Sequence, residues 1–428
     1  MMSKWKLAWG RITRRMWFRA TLYGVLGVIS ALAGAFAKFL LPTGLATRIG
    51  ADSVGNILGI LAASMLTVTT FALSTMVSAY SAASSSATPR ASRLLIEDAS
   101  AQGALATFIG AFLFSIVGLI ALSTGIYGDS GRLVLFGATV AVIVVITVTL
   151  LRAIEQLSRF GRMGQTIDLV EHATWHALER RAEDPYLGAR PRLAAVPTGA
   201  TGVAATDIGY VEHIDIARLD DLAAKHGLAI HVCCQPGTFA TPDRPLLQVS
   251  GRLEPPVAEA LRGAITLGDA RSIENDPRFG LVVLTEIASR ALSPATNDPG
   301  TCIEVIGTCV RVLSNWGERR ARQPVPQVRF PHVHVQALCE ADLLEDVFPL
   351  ISRDGAGLLE IQLRLQKAYA TLVASPCTAM REAALTHAQR SLDRALQHLD
   401  FAPDRQRLRQ VAADINGLAP GPAPSEPG

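Results

Sequence analysis

The stretch VGNILGILAASMLTVTTFALSTMVSAY, Val54–Tyr80, runs for 27 residues without a charged side chain. A hydrocarbon core of about 30 Å needs about 20 helical residues, so this stretch reads as a membrane-spanning helix. Working outward from it, three more uncharged runs appear: Ala20–Ala37 (18 residues), Leu105–Tyr127 (23) and Leu133–Leu151 (19). A Lys or Arg at the centre of a span costs about 2.5–3.5 kcal/mol on insertion scales, and none stands at the centre of any of these runs. Lys38 follows the first run and can extend its ammonium group to the interface. Small residues recur at helix-packing spacing, as Gly55, Gly59 and Ala63 and again as Ala106, Gly110 and Gly118. The expected fold is therefore a membrane α-helical domain of four transmembrane helices over residues 20–152, attached to a cytoplasmic α+β domain that is mostly helical at its C-terminal end.

Composition agrees with this division. The chain has 428 residues, 49% of them apolar and 18% charged, and a mean hydropathy of +0.29. These values exclude a largely disordered protein, and six cysteines are too few for a disulfide scaffold. Residues 1–152 hold twelve Lys and Arg against four acids, a net +8, whereas residues 153–428 hold 28 against 33, a net −5. Residues 1–19 carry Lys4, Lys6, Arg11, Arg14, Arg15 and Arg19 with no acid, and Arg152, Arg159 and Arg162 bracket the exit of the last span. The positive-inside rule then places both termini in the cytoplasm. A cleaved signal peptide is the rival reading of the first run, but its apolar region would be too long and its basic lead too extended. Trp5, Trp9, Ile12 and Met16 recur at helical spacing in that lead, which reads either as an interfacial amphipathic helix or as an ordinary basic flank.

The second span has a pattern of its own. Ser64, Thr67, Thr70, Ser74, Ser78, Ser81 and Ser85 follow one another in steps of three and four, which keeps them on one helical face. A polar stripe of this kind could line a water-filled path in a homo-oligomer. It could equally bond neighbouring helices or its own backbone. Carboxylate, His and Arg are absent from the interior of spans two to four, which argues against a transporter with a titrating site in the membrane.

The C-terminal part reads as a series of modules. Residues 153–206 comprise an amphipathic helix and a Pro/Gly-rich linker, Tyr186–Thr206; residues 207–252 form a small α/β module; residues 253–416 are mainly helical; and residues 417–428 form a disordered tail. His172 and His176 stand at i and i+4, a spacing that can hold a metal, but no HExxH pattern or third ligand accompanies them and the pair reads as a solvated helix face. The Gln235-Pro236-Gly237 turn is similar to the hairpins of biotinyl or lipoyl carriers, which need a modifiable lysine at the tip; Lys225 is on a helix instead. Cys233-Cys234 lacks the second pair a zinc site requires. His332 and His334 lie on one face of a strand at Pro331–Val335.

Asn275-Asp276-Pro277 and Asn297-Asp298-Pro299 each precede an apolar helical run. Asp at the N-cap with Pro at the first helical position satisfies free amides and complements the helix dipole. Capping accounts for both aspartates. The alternative is that the two helix N-termini converge with Arg271, Glu274, Arg290, Asn297 and Thr301 to bind a small anion.

At Ala-Thr-Pro-Arg (87–90), Gly-Asp-Ala-Arg-Ser-Ile-Glu-Asn-Asp-Pro (268–277) and Arg-Ala-Leu-Ser-Pro-Ala-Thr-Asn-Asp-Pro (290–299) with Thr301, the chain resembles the bacterial predicted-membrane-protein family DUF2254. The resemblance extends over nearly the whole chain, with small departures at Ser272, Asn275, Glu286 and Cys302. It implies an inner-membrane protein with a cytoplasmic domain and no established activity. It also implies that Arg271, Asp276, Arg290, Asn297, Asp298 and Thr301 belong to a shared motif.

No Walker loop, GxGxxG, GxSxG or paired CxxC stands in its proper context, so neither an enzyme nor a cofactor is expected. Two functional readings follow. The first is a non-enzymatic, channel-like oligomer built on the hydroxyl stripe. The second is a membrane-tethered sensor or scaffold that binds a small anionic ligand or partner through residues 268–301. Expected partners are the lipid bilayer, other copies of the chain and such a ligand, with no nucleic acid.

Overall fold

A computed structural model describes residues 16–36, 51–86, 88–91, 99–124, 129–159, 162–192, 195–322 and 327–418. The chain divides into two compact units, residues 2–166 and residues 167–428.

The first unit contains helices α1 (Met16–Phe36), α2 (Ala51–Ser86), α3 (Ala99–Ser123) and α4 (Asp129–Arg159). Three of them hold segments long and apolar enough to cross a membrane: Ser53–Ala82, Gln102–Ser123 and Gly131–Glu155. The first expected span falls on α1, whose apolar stretch among the described residues is the shorter Ala20–Ser30. Most of the basic lead lies outside the described residues, and Ala37 and Lys38 lie outside them too. Helix α3 is the centre of this unit: half of its most apolar window is buried, against 17% for α2 and α4. Glycines set the spacing of α1 against α3. A Cβ on Gly27 would overlap the carbonyl oxygen of Gly110, so the two backbones touch directly. Phe114 and Ala121 of α3 pack with Val54 and Leu58 of α2 and Leu135 of α4. After α2, the Thr88 hydroxyl accepts from the Ala91 amide at 3.1 Å and caps the short turn begun by Pro89.

Helix α5 (Met163–Glu183) opens the second unit, followed by β1 (Ala189–Pro191), β2 (Thr201–Ala204), β3 (Gly209–Ile214), α6 (Ile216–His226), β4 (Ala229–Val232), β5 (Phe239–Ala240), β6 (Pro245–Ser250), α7 (Pro255–Arg262) and β7 (Ile265–Gly268). Then come α8 (Pro277–Ala291), α9 (Pro299–Ala321), β8 (Phe330–Val335), α10 (Glu340–Asp354), α11 (Leu359–Val373), α12 (Thr378–His398) and α13 (Ala402–Leu418). The strands form a five-stranded mixed sheet, β1-β8-β4-β6-β2, and a three-stranded antiparallel sheet, β5-β3-β7. One core joins them: Ile230, Val232, Val333, Val335, Leu247 and Val249 pack with Leu219 and Ala223 of α6, Leu261 of α7 and Val211 of β3.

Two features depart from the sequence reading. The expected linker Tyr186–Thr206 contributes β1 and β2, and β8 returns from beyond α9 to lie between β1 and β4. The α/β module therefore draws on residues on both sides of the expected 207–252 segment. The described part of the tail joins α13, which reaches Leu418; residues 419–428 lie outside the described residues. The six cysteines are all unpaired, and burial pushes the Cys234 thiol up to about 12.

Candidate functional site

The hydroxyl stripe of α2 runs along the outer face of its helix. Ser64, Thr67, Thr70, Ser74, Ser78 and Ser81 are all exposed, while Val54, Leu58, Ala62, Met65 and Met76 on the opposite side are buried. Ser85 belongs to α2, and its side chain lies outside the described residues. Among the described residues, the stripe therefore faces away from the neighbouring helices. Thr67 Oγ1 donates to the Ala63 carbonyl at 3.0 Å and Thr70 Oγ1 to the Leu66 carbonyl at 2.9 Å, the back-bonding that lets a hydroxyl sit in an apolar setting. Leu66, Thr67, Thr70, Phe71 and Ser74 line an open recess of about 440 Å³ midway along this face.

The two Asn-Asp-Pro segments both cap helices, as expected. At the first, Asp276 is the N-cap of α8, and its Oδ1 accepts from the Phe279 amide at 3.3 Å. Its Oδ2 accepts from Arg271 Nε at 2.7 Å, and the Arg271 guanidinium lies 4.9 Å from the centre of the Phe279 ring. Only 3% of Asp276 is exposed. Burial pushes its carboxyl above the usual carboxylate range, against the opposing pull of Arg271 and the Phe279 amide. The Glu274 carbonyl accepts from Arg180 Nη2 of α5 at 2.5 Å, which ties the loop before α8 to α5. Arg278, the second residue of α8, binds Asp346 through Nε at 2.6 Å and Asp342 through Nη1 at 2.9 Å.

At the second, Asp298 caps α9: Oδ1 accepts from the Thr301 amide at 3.0 Å and Oδ2 from the Thr301 hydroxyl at 2.6 Å. These two bonds hold the Asp298 carboxyl below the usual range. Asn297 takes the left-handed conformation with φ +48°, which Asn tolerates better than most residues. That turn brings the Asp298 amide to the Ala291 carbonyl at 2.8 Å. Arg290 stands exposed in the last turn of α8, the end a cation complements.

The two caps do not converge. Asp276 starts α8 and Asp298 bonds its far end, so the fifteen residues of α8 separate them by about 22 Å. Arg271, Glu274 and Asp276 form one group; Arg290, Asn297, Asp298 and Thr301 form another.

The family model for predicted membrane proteins, DUF2254, matches residues 13–371, a stretch that includes the spans and both capped helices. The chain belongs to this family. Curated relatives include uncharacterized proteins of Mycobacterium bovis and of Mycobacterium tuberculosis strain H37Rv, each 26% identical over 269 residues. The aligned part is 59% of this chain and 50% of each relative, so the chain spans about half the length of the curated relatives it matches. No solved structure matches. For this DUF2254 member, the site residues expected from sequence thus fall into two separate structural roles.

Sequence reasoning missed Gly237. It has φ +90°, and a Cβ there would overlap Asp276 Oδ2, so the turn after β4 presses its backbone against the first cap. The Pro-Gly dipeptide was the available signal for the turn, though not for the contact. It also missed that His334 stacks on His231 of β4, with ring centroids 4.7 Å apart. Burial lowers the affinity of both imidazoles for protons, and the coulombic effects of His334 and Arg192 add to this for His231.

Proposed function

We propose that this DUF2254 member is a non-enzymatic plasma-membrane protein with four spans and both termini in the cytoplasm, the second unit being its cytoplasmic domain. Copies of the chain assemble across the hydroxyl face of α2 and enclose a Ser/Thr-lined polar pathway. The observation that carries this reading is the outward position of Ser64, Thr67, Thr70, Ser74, Ser78 and Ser81, opposite the side of α2 buried in its own unit. A continuous line of hydroxyls on the outside of an apolar helix is a surface that a second copy covers better than lipid chains do. The uncharged interiors of the spans favour passive passage over coupled transport.

Residues 1–232 contain no cysteine, and with Cys233, Cys339 and Cys377 replaced by serine a thiol introduced in α2 reports on this packing. Ser74→Cys should give a disulfide-linked dimer in membranes, whereas Val144→Cys, on the exposed side of α4, should not. In liposomes the unaltered protein should pass small ions and Ser74→Leu should abolish the flux. Flux that ignores substitutions along the whole stripe, or a Ser74→Cys protein that stays monomeric, would sink the proposal.

The second reading is a tethered sensor that takes a small anion or partner through residues 268–301. What favours it is the exposed end of α8, where Arg290, Asn297 and Asp298 face outward together. Inorganic phosphate should then raise the melting temperature of the full chain, and Arg290→Ala should remove the rise.

A further inference from the structure

Helix α5 is held along one side by the rest of its unit. Ile167, Val170, Thr174 and Leu178 are fully buried. Arg311 binds Glu171 through two bonds, of 2.8 and 2.6 Å, and Arg319 binds Glu179 while its guanidinium lies 5.3 Å from the centre of the Trp175 ring. The opposite face carries Asp168, His172 and His176, all exposed.

On that face the two imidazoles meet through the same atom. His176 Nε2 lies 3.1 Å from His172 Nε2. The ring centroids are 4.3 Å apart and the planes are at 80°, so the rings splay away from a shared nitrogen edge. Two imidazole nitrogens bound to one ion at about 2.0–2.1 Å, at angles between square and tetrahedral, stand about 2.8–3.4 Å from each other. His176 Nδ1 meets Glu179 Oε2 at 3.3 Å. A carboxylate on Nδ1 fixes the tautomer and leaves the Nε2 lone pair free, the outer-shell partner that metal-bound histidines have.

We propose that His172 and His176 form a two-imidazole site for a divalent borderline metal ion of the zinc, nickel or copper class, with Glu179 as the positioning residue. Without metal, the His172 Nε2–H donates to His176 Nε2. Binding moves the His172 proton to Nδ1, and both Nε2 lone pairs turn to the ion. No group of three or more His, Cys, Asp and Glu side chains suited to a metal exists among the described residues. Water or a group from a second molecule therefore completes the coordination. Asp168 lies one turn before His172 on the same face and makes the approach more attractive to a cation.

The test uses the untagged full chain in detergent, with Zn²⁺ titrated in competition with a chromophoric chelator. One ion per chain should bind, and His172→Ala and His176→Ala should each weaken binding at least about tenfold. Glu179→Gln should weaken it about tenfold with both imidazoles kept, and His398→Ala, on another exposed helix, should leave it unchanged. Cu²⁺ bound to the unaltered protein should show nitrogen splitting in its paramagnetic resonance spectrum, and the splitting should vanish in the double variant. Absence of Zn²⁺ binding below millimolar concentration, or binding that survives removal of both histidines, would reduce the pair to a hydrogen-bonded couple and overturn the proposal. Since His172 and His176 are exposed, circular dichroism of their variants should match the unaltered chain, and Glu179→Gln keeps an oxygen for Arg319.

Discussion

Asp276 and Asp298 sit in the same tripeptide, at the same position of their helices, and accept from the amide three residues ahead. Their surroundings differ in nearly every other respect. Asp276 is buried, faces Arg271 and is pressed by the backbone of Gly237. Asp298 is exposed and makes both of its bonds to Thr301, within its own helical turn. The carboxyl of the first is raised above the ordinary range and that of the second lowered below it. A local motif therefore fixes the cap, while distant parts of the chain decide what that cap does for the fold. The first cap ties a sheet turn, a loop and a helix together. The second closes a turn that its own residues nearly complete.

Substitutions that break this contrast should rank accordingly. Gly237→Val adds side-chain atoms where Asp276 lies and imposes a strained backbone, so it should cost about 3–5 kcal/mol in unfolding of the full chain. An unchanged melting temperature would mean that the turn does not bear on the cap. Arg271→Ala leaves a buried carboxylate without its partner and should cost about 3 kcal/mol, the low end for a broken buried pair because Arg271 is partly exposed. Asp298→Ala removes an exposed cap and should cost about 1 kcal/mol. If Arg271→Ala and Asp298→Ala prove equal in thermal unfolding, burial does not distinguish the two motifs.

The smallest effect is the response to acid, and the two caps should respond in opposite senses. A carboxyl whose folded pKa is raised contributes most at low pH and loses that contribution as pH rises through the folded value. One whose folded pKa is lowered contributes above the ordinary range and loses it as pH falls through the folded value. The stability difference between the unaltered chain and Asp276→Asn should therefore grow on acidification from pH 7 to about pH 4. The difference for Asp298→Asn should instead shrink at still lower pH, below the ordinary aspartate value of about 3.9. Chemical denaturation of the three proteins at several pH values reads both slopes; slopes of the same sign would contradict the assigned environments.

These contrasts also mark what a linear reading could reach. Asp followed by Pro is a local signal, so both caps were legible, and the three-four spacing of the α2 hydroxyls was legible for the same reason. Their outward position was not, because the buried side of α2 is set by α3 and α4. The alternative in which the two helix N-termini meet treated neighbours in sequence as neighbours in space, whereas the fifteen residues of α8 lie between them. Short strands were the other weakness. Ala189–Pro191 and Thr201–Ala204 have three and four residues, too few to display an alternation, and they lie among prolines and glycines that suggest a linker. Phe330–Val335 did show its alternation, and it was placed as a strand. Its partners, Ala189 to Pro191 on one side and Ile230 and His231 on the other, lie more than ninety positions earlier.

That placement of β8 has a consequence for how the protein is made. A nascent chain that has emerged only through α9 holds β1 and β4 with the position between them still vacant. The five-stranded sheet closes only when β8, the element that follows α9, has been synthesised, so its completion comes late, after the seven other strands and both capped helices have been made. Until then, the parallel edge of β4 is an open template for pairing with another chain.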